Sequence, residues 1–372
     1  MIRTRLRLKP IDSLMFRDGR PFNQDDEGRA KALSLFPPPM NTVFGAVRVA
    51  FARRYGWTGV GDWTDQSNFL KGYKPNEIQS HLGDFNNEEK GFRICGFALE
   101  YKEKILWPAP QDLVFSKGKL ELRLGTDVAL QTDAGVLRNT GSSNDATSLA
   151  GRWLSRDLVI EVLQKEVEIS VQDEDCGEDG LPGFALSQLV SDYVKVGIER
   201  DNNSRHVVDG RLFVEARKVL RSNLAMIVDV ECAGVGPLDF PSSVRMGGES
   251  RSVWIEKVSE ERISKLEEDK ATGASEHIFY FQTPALALPI ELGKSLSGIG
   301  AVSEAYMPRL GTAAGFETRS TDKRQLTKTQ TVVPAGTVLI LKNTKFEDKF
   351  PLAFGENQNR GWGNYFCVAR KK

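Results

Sequence analysis

The chain has 372 residues, 40% apolar and 27% charged, with 50 Lys and Arg against 50 Asp and Glu, a composition that excludes dominant disorder and suits about two globular domains. A formal net charge of zero argues against a protein that coats nucleic acid indiscriminately, since such proteins are strongly basic. No run reaches the roughly 18 apolar residues of a membrane span, and the N-terminus lacks a signal peptide's apolar core. Cys95, Cys176, Cys232 and Cys367 form no CxxC pair. The expectation is a cytoplasmic protein with reduced thiols, no membrane partner, no metal site and no cofactor.

In chain order, residues 2–9 alternate Arg3, Arg5, Arg7 and Lys9 with Thr4, Leu6 and Leu8, which predicts a half-buried strand with a basic outer face. A loop follows through Phe16-Arg-Asp-Gly-Arg-Pro-Phe22 and a polar run to Lys31. After Pro37-Pro38-Pro39, Asn41 or Thr42 is placed to cap a helix in which Val43, Val47 and Phe51 form a stripe and Gly56 gives the stop. Residues 57–90 lack periodicity and read as an irregular insertion. Strands resume at 92–101, 105–110 and 120–130, and the polar stretch 132–147 reads as a loop.

Ser155 is placed to cap a short helix over 157–164, and the acidic run 173–179 reads as an exposed connection. Between 193 and 217 two strand-like arms flank a polar tip. A strand over 224–232, a charged helix over 256–270 and an aromatic strand over 277–282 come next. The last hundred residues look strand-poor until 332–341, and the chain closes with the glycine-bearing segment 355–363 and a strand over 365–369. Strands interleaved with few helices predict an α+β architecture.

The neutral total hides local excesses. Residues 1–54 carry +6, 195–221 carry +3 and 342–372 carry +4, which leaves −13 for the remainder. Because fields act over about a Debye length, roughly 8–10 Å, a neutral molecule can still own a basic groove.

Enzyme signatures are sparse. Three separated histidines form no HExxH or zinc-deaminase pattern, and GxGxxG, the phosphate-binding loop GxxxxGK[ST] and GxSxG are all missing. His206, beside Arg205, is the best single acid/base candidate; His81 and His277 are weaker, and a lone loop histidine is more often a solvated side chain. Three glycine-bearing segments suit a phosphate backbone instead. These are Gly355–Gly363 with Arg360, Gly361, Trp362 and Gly363; the loop of Gly247, Gly248 and Arg251; and a hairpin with Arg205 at its tip and Arg211 on its return arm. The bland alternatives are a hairpin turn with a core Trp and a basic hairpin that is merely kept soluble.

Several of these segments, taken together, carry a resemblance. Phe16-Arg-Asp-Gly-Arg-Pro-Phe22, Phe36-Pro-Pro-Pro, Thr42-Val-Phe-Gly-Ala-Val-Arg48 and Trp107-Pro-Ala-Pro-Gln-Asp112 occur in order. Gly197-Ile-Glu-Arg, Gly210-Arg-Leu-Phe213, Gly247-Gly-Glu249 and Val333-Pro-Ala-Gly-Thr337 follow. The set resembles the third-subunit family of the Cmr complex, the type III-B CRISPR effector, whose subunits belong to the RAMP superfamily of RNA-binding proteins. The resemblance runs from about residue 1 to 363. The C-terminal loop is poorer in glycine than is usual in that family, and Gly315-Phe316 stands where a Gly-Gly-Trp type element is common.

The resemblance implies two ferredoxin-like (RRM-like) domains. These would be 1–220, with an insertion at about 57–90 and a hairpin thumb at about 194–217, and 221–372, ending in a glycine-rich loop. It implies a non-catalytic subunit, acting in antiviral defence against foreign RNA, that holds the 5′ repeat-derived handle of CRISPR RNA. Its partners would be the large polymerase/cyclase-like subunit and the backbone RAMP subunits. Arginine chemistry within these motifs selects Arg17, Arg20, Arg48, Arg205, Arg211, Arg251 and Arg360 as RNA contacts, with Gly247, Gly248, Gly361, Trp362 and Gly363. The rivals are an endoribonuclease on the same fold with His206 or His81 as base, and an adaptor that contacts only protein.

Overall fold

The computed structural model describes residues 2–17, 31–32, 34–72, 75–84, 91–111, 113–122, 129–132, 135–138, 146–164, 169–232, 242–258, 276–287, 301–306, 311–313, 316–317, 325–326, 330–342 and 353–369. The alternating N-terminal segment forms the strand Ile2–Pro10, which pairs with Leu224–Cys232 on one side and Ser252–Lys257 on the other. It lies inside an eight-stranded antiparallel sheet. The order across that sheet is 184–185, 152–155, 104–108, 92–101, 224–232, 2–10, 252–257 and 242–245.

Leu6 and Leu8 turn to the face covered by helix α1 (Met40–Arg54), where Val43, Val47 and Phe51 are buried as their spacing predicts. The helix starts one or two residues before the expected caps. Pro39 stands at its head and its carbonyl accepts from the Thr42 and Val43 amides, which frees the Asn41 side chain for another partner. The expected insertion is no loose appendage in its described part. It contains helix α2 (Pro75–Leu82), and Trp57, Trp63, Phe69, Ile78 and Leu82 are buried in the same core. Isolated large residues among Gly and Asn leave no periodic signal.

The opposite face of the sheet meets a second one, ordered 365–369, 276–281, 338–342, 301–306, 135–138 and 129–132. Ala98, Trp107 and Ile227 from the first sheet, Tyr280, Ile340 and Val368 from the second, and Val159 and Val162 from helix α3 (Arg156–Gln164) share one core. Trp107 stacks on Tyr280, whose hydroxyl donates to the Pro108 carbonyl. All four cysteines are free thiols, and no helix among the described residues is long and apolar enough to cross a membrane.

Several expectations are corrected. The stretch 132–147 contains the strand Gly135–Arg138, and the supposedly strand-poor region holds Ala301–Tyr306, Gly311–Ala313, Phe316–Glu317 and Gln325–Leu326. Ala301–Tyr306 reads AVSEAY and lacks clean alternation, but it pairs with Val338–Lys342, whose first four residues are apolar and buried. Of the expected charged helix over 256–270, Glu256 and Lys257 belong to a strand, and 259–270 lies outside the described residues. A cut at 220/221 does not follow the sheets, because Leu224–Cys232 pairs with both Ile2–Pro10 and Phe92–Tyr101.

The hairpin is longer than expected. Val190–Arg200 and Val207–Leu220 pair from Val190 opposite Leu220 to Arg200 opposite Val207, and Lys31–Ala32 adds a short parallel strand at Val214–Glu215.

Candidate nucleic-acid interface

The basic face of the first strand is not an open surface. Arg5 is 7% exposed and donates to Asp229 at 2.6 and 2.8 Å, with Arg3 on the same carboxylate. Arg7 donates to Glu100 at 2.6 and 2.7 Å and to Glu256 at 3.0 Å, and Lys9 lies 2.8 Å from Glu256. The Glu100 hydrogen bond holds the Arg7 guanidinium above its ordinary range, and Lys9 followed by Arg7 holds Glu256 below the usual carboxylate range. Part of the +6 of residues 1–54 is thus cancelled by carboxylates from strands far along the chain.

Three motif segments read separately in the sequence do converge. The turn after Ser242–Arg245 docks on the first loop. Gly247 has φ +88°, and a Cβ there would lie 2.4 Å from the Met15 carbonyl oxygen, so only glycine permits the approach. The Gly248 amide donates to that same oxygen at 2.8 Å. Arg251 Nη1 donates to Asp12, while its Nε is buried with no partner among the described residues.

The ribbon joins at its base, where Leu14 and Lys218 exchange amide hydrogen bonds of 2.8 and 2.7 Å. Arg217 is raised by its hydrogen bond to Glu215, with the charges of Asp12 and Glu249 adding to the effect. Segment 12–17, turn 245–251 and the ribbon base therefore form one junction.

Arg17 is exposed at its rim, its backbone bridging to Ser34 as the Leu35 amide donates to Phe16 O at 2.8 Å. Arg20 lies outside the described residues. Arg205 is exposed at the ribbon tip with φ +56°, roughly 35 Å from the junction at 3.3 Å per residue. Arg211 lies on the return strand Val207–Leu220. Asp12, Glu215 and Arg217 had no motif to mark them; they emerge only from the docking.

Of the other expected contacts, Arg48, Gly361, Trp362 and Gly363 lie in the interior and Arg360 is half-buried. Arg48 is 5% exposed; it donates to the carbonyls of Leu82, at 3.0 and 3.2 Å, and Asp84, and its guanidinium lies 4.4 Å from the Trp63 ring centre. In the 355–363 loop, Trp362 is 3% exposed and its Nε1 donates to Asn41 Oδ1 at 2.9 Å. A Cβ on Gly361 would meet Ile94 and Met40 at 2.7 Å, and one on Gly363 would lie 1.8 Å from Phe354 O. The amides of Arg360, Gly361 and Gly363 donate to Asn357, Gln358 and Pro284. The close approach these glycines permit is to the chain's own backbone, so the loop is a packed turn with a core Trp. Arg360 lies over the Phe44 ring at 5.9 Å.

The three histidines are dispersed. His206 is exposed at the ribbon tip, His81 lies in the last turn of α2 with its ring against Tyr55, and His277 is 1% exposed in the second sheet.

The chain is thus a strand-rich α+β protein with two facing sheets, a long β-ribbon and an arginine-bearing junction at the ribbon's base. The family model described as CRISPR-associated protein (Cas_Cmr3) matches residues 6–369, and the chain belongs to that family of Cmr subunits. Among solved structures, the chain is similar to one from the Type III-B Cmr-beta complex bound to cognate target RNA. That match has 18% identity, covers 90% of this chain and 86% of that one, and has a TM-score of 0.49. It is also similar to a chain of the Csm3-Csm4 subcomplex of the type III-A CRISPR-Cas interference complex, at 11% identity, 99% and 100% coverage and a TM-score of 0.37. No curated protein matches the chain by sequence.

Proposed function

We propose that this Cmr subunit is a non-catalytic RNA-binding protein that holds the 5′ repeat-derived handle of CRISPR RNA and docks on the large polymerase/cyclase-like subunit. The observation that carries the reading is the junction. The first loop with Arg17, the Gly-Gly-Glu turn with Arg251 and the base of the ribbon meet at one place, in a chain whose family membership is independent of that geometry. Arg251, part-exposed and paired to Asp12 through Nη1, puts a guanidinium at the junction, the chemistry that phosphate contacts use.

The contacts are Arg17, Arg20, Arg205, Arg211 and Arg251, with Arg360 at a separate position; Arg48 and the glycine-rich loop support the fold behind them. Four strands ordered 252–257, 2–10, 224–232 and 92–101, with α1 connecting the second to the fourth, support a ferredoxin-like RAMP domain. Exposed Tyr193, Val194, Val196 and Ile198 on the ribbon support a partner subunit along its length. The dispersal of the three histidines supports a binding role over a cleaving one.

The test is binding of repeat-derived RNA to the full-length chain across a salt series. Arg17→Glu and Arg205→Glu each weaken binding and flatten the salt dependence by about one ion per arginine. Metal-independent cleavage abolished by His206→Ala would overturn the reading, as would unchanged crosslinking of RNA to the charge-reversed protein.

A further inference from the structure

One exposed aromatic at the outer end of the eight-stranded sheet has no part in the core or in the junction. Trp254 lies in Ser252–Lys257 between Val253 and Ile255, both fully buried in the core under α1. Alternation turns Trp254 to the opposite face, where it stays 39% exposed.

The register fixes its neighbours. Lys9 lies opposite on one side and Ser243 on the other; Arg7 and Arg245 sit diagonally, and Glu256 follows two residues along the strand. Lys9, Ser243 and Arg245 are exposed. The indole is thus framed by three cations and one carboxylate, and that carboxylate is already engaged by Lys9 at 2.8 Å and Arg7 at 3.0 Å.

An exposed aromatic on a sheet face, with cations and a hydroxyl around it, is what an unpaired nucleobase and its flanking phosphates require. A protein interface core would call for mostly apolar neighbours, whereas around Trp254 only Ile11, whose amide donates to the Ser252 carbonyl, is apolar and the other cross-strand neighbours are charged or hydroxylic. Arg251 precedes this strand, three residues before Trp254 and about 10 Å away along the chain.

We propose that Trp254, with Lys9 and Arg245 beside it, is a stacking platform for one unpaired base of a bound RNA strand. The proposal rests on the RNA-binding reading and adds a base-contacting residue to it. The ring supplies sequence-tolerant stacking, Lys9 and Arg245 meet the phosphates on either side, and Ser243 offers a hydroxyl to a base edge or a 2′-hydroxyl.

The experiment uses the purified full-length chain and a fluorescein-labelled, mixed-sequence single-stranded RNA 12-mer at low salt. Trp254→Ala binds roughly ten- to hundred-fold more weakly than the parent with an unchanged melting temperature. Trp254→Phe keeps most of the affinity but loses the indole fluorescence quench that RNA produces in the parent. If Arg17→Glu and Arg205→Glu weaken binding while Trp254→Ala stays within two-fold of the parent, the platform alone is overturned. If the parent chain does not bind at all, the RNA-binding reading falls with it. Loss of a partner subunit on copurification with Trp254→Ala, with RNA affinity intact, assigns the face to protein and overturns the platform.

Discussion

Arg5 and Asp229 stand directly opposite each other on neighbouring strands, joined by two hydrogen bonds of 2.6 and 2.8 Å, and each is less than a tenth exposed. The pair ties the first strand to one that begins more than two hundred residues later. Charges taken out of water this far are tolerated only when they satisfy each other.

Asp229→Ala strands the Arg5 guanidinium in the sheet interior. The expected loss is about 3–5 kcal/mol, read as a drop in the urea midpoint with an unchanged slope. Replacing both residues by apolar ones, Arg5→Met with Asp229→Leu, costs clearly less than Asp229→Ala alone. Equal losses would mean that the uncompensated charge is not what destabilises the single variant.

Arg48 and Arg205 separate structure from binding. Arg48→Met removes the donors to Leu82 and Asp84 and costs about 2 kcal/mol of stability, with no change in RNA affinity per folded molecule. Arg205→Ala at the exposed ribbon tip leaves stability within about 0.5 kcal/mol and weakens RNA binding. Calorimetry and a salt-dependent binding series on the same preparations decide between these roles.

Gly363 and Gly118 both have positive φ, at +71° and +79°, but differ in what surrounds them. A methyl at 118 meets nothing within 4 Å, so Gly118→Ala carries only the left-handed backbone penalty of about 1–2 kcal/mol. At 363 the methyl would lie 1.8 Å from Phe354 O, and Gly363→Ala loses at least about 3 kcal/mol through the added displacement of the Phe354 backbone. Similar melting temperatures for the two variants would contradict the packing of the 355–363 loop.

Asp179 supplies a pH signature. Hydrogen bonds from Arg152 of 2.7 and 2.9 Å hold its carboxyl at about 2, below the ordinary value of about 3.9. A depressed carboxylate stabilises the fold above the unfolded value and loses that contribution as pH falls toward the folded one. Asp179 is partly exposed, so screening reduces the effect to about 1 kcal/mol. The stability difference between the parent and Asp179→Asn is therefore full above pH 5 and fades between about pH 4 and 2 in urea titrations.

The elements that could be read in the sequence are those with a local period. Alternation located Ile2–Pro10, the apolar run located Leu224–Cys232, and two arms around a polar tip located the ribbon. The i, i+4 and i+8 stripe of Val43, Val47 and Phe51 located α1. Elements without a period escaped. The buried Trp57, Trp63 and Phe69 sit among glycine and polar residues, and Ala301–Tyr306 becomes a strand through its partner's apolar surface.

The candidate site divides the same way. Motifs gave the segments: Phe16–Phe22, Gly247–Glu249 and the ribbon were all marked by residue type and order. Their meeting at Met15, Asp12 and Lys218 was invisible, because each contact spans two hundred residues or more of chain. Trp362 and Arg48 show the converse. Glycines around a Trp, or an Arg on a helix, have the same local pattern whether they face phosphate or the chain's own carbonyls.

The amino-acid order by itself determined the α+β class, the family and which side chains share a strand face, since these depend on local periodicity and on residues in sequence order. Only the tertiary structure decided what each charged face meets. A strand's alternation puts Arg3, Arg5 and Arg7 on one side, but whether that side is a basic surface or an ion-paired interior depends on Glu100, Asp229 and Glu256 from distant strands. Coulomb energy acts over a few ångströms of space, and only folding sets which charges lie that close.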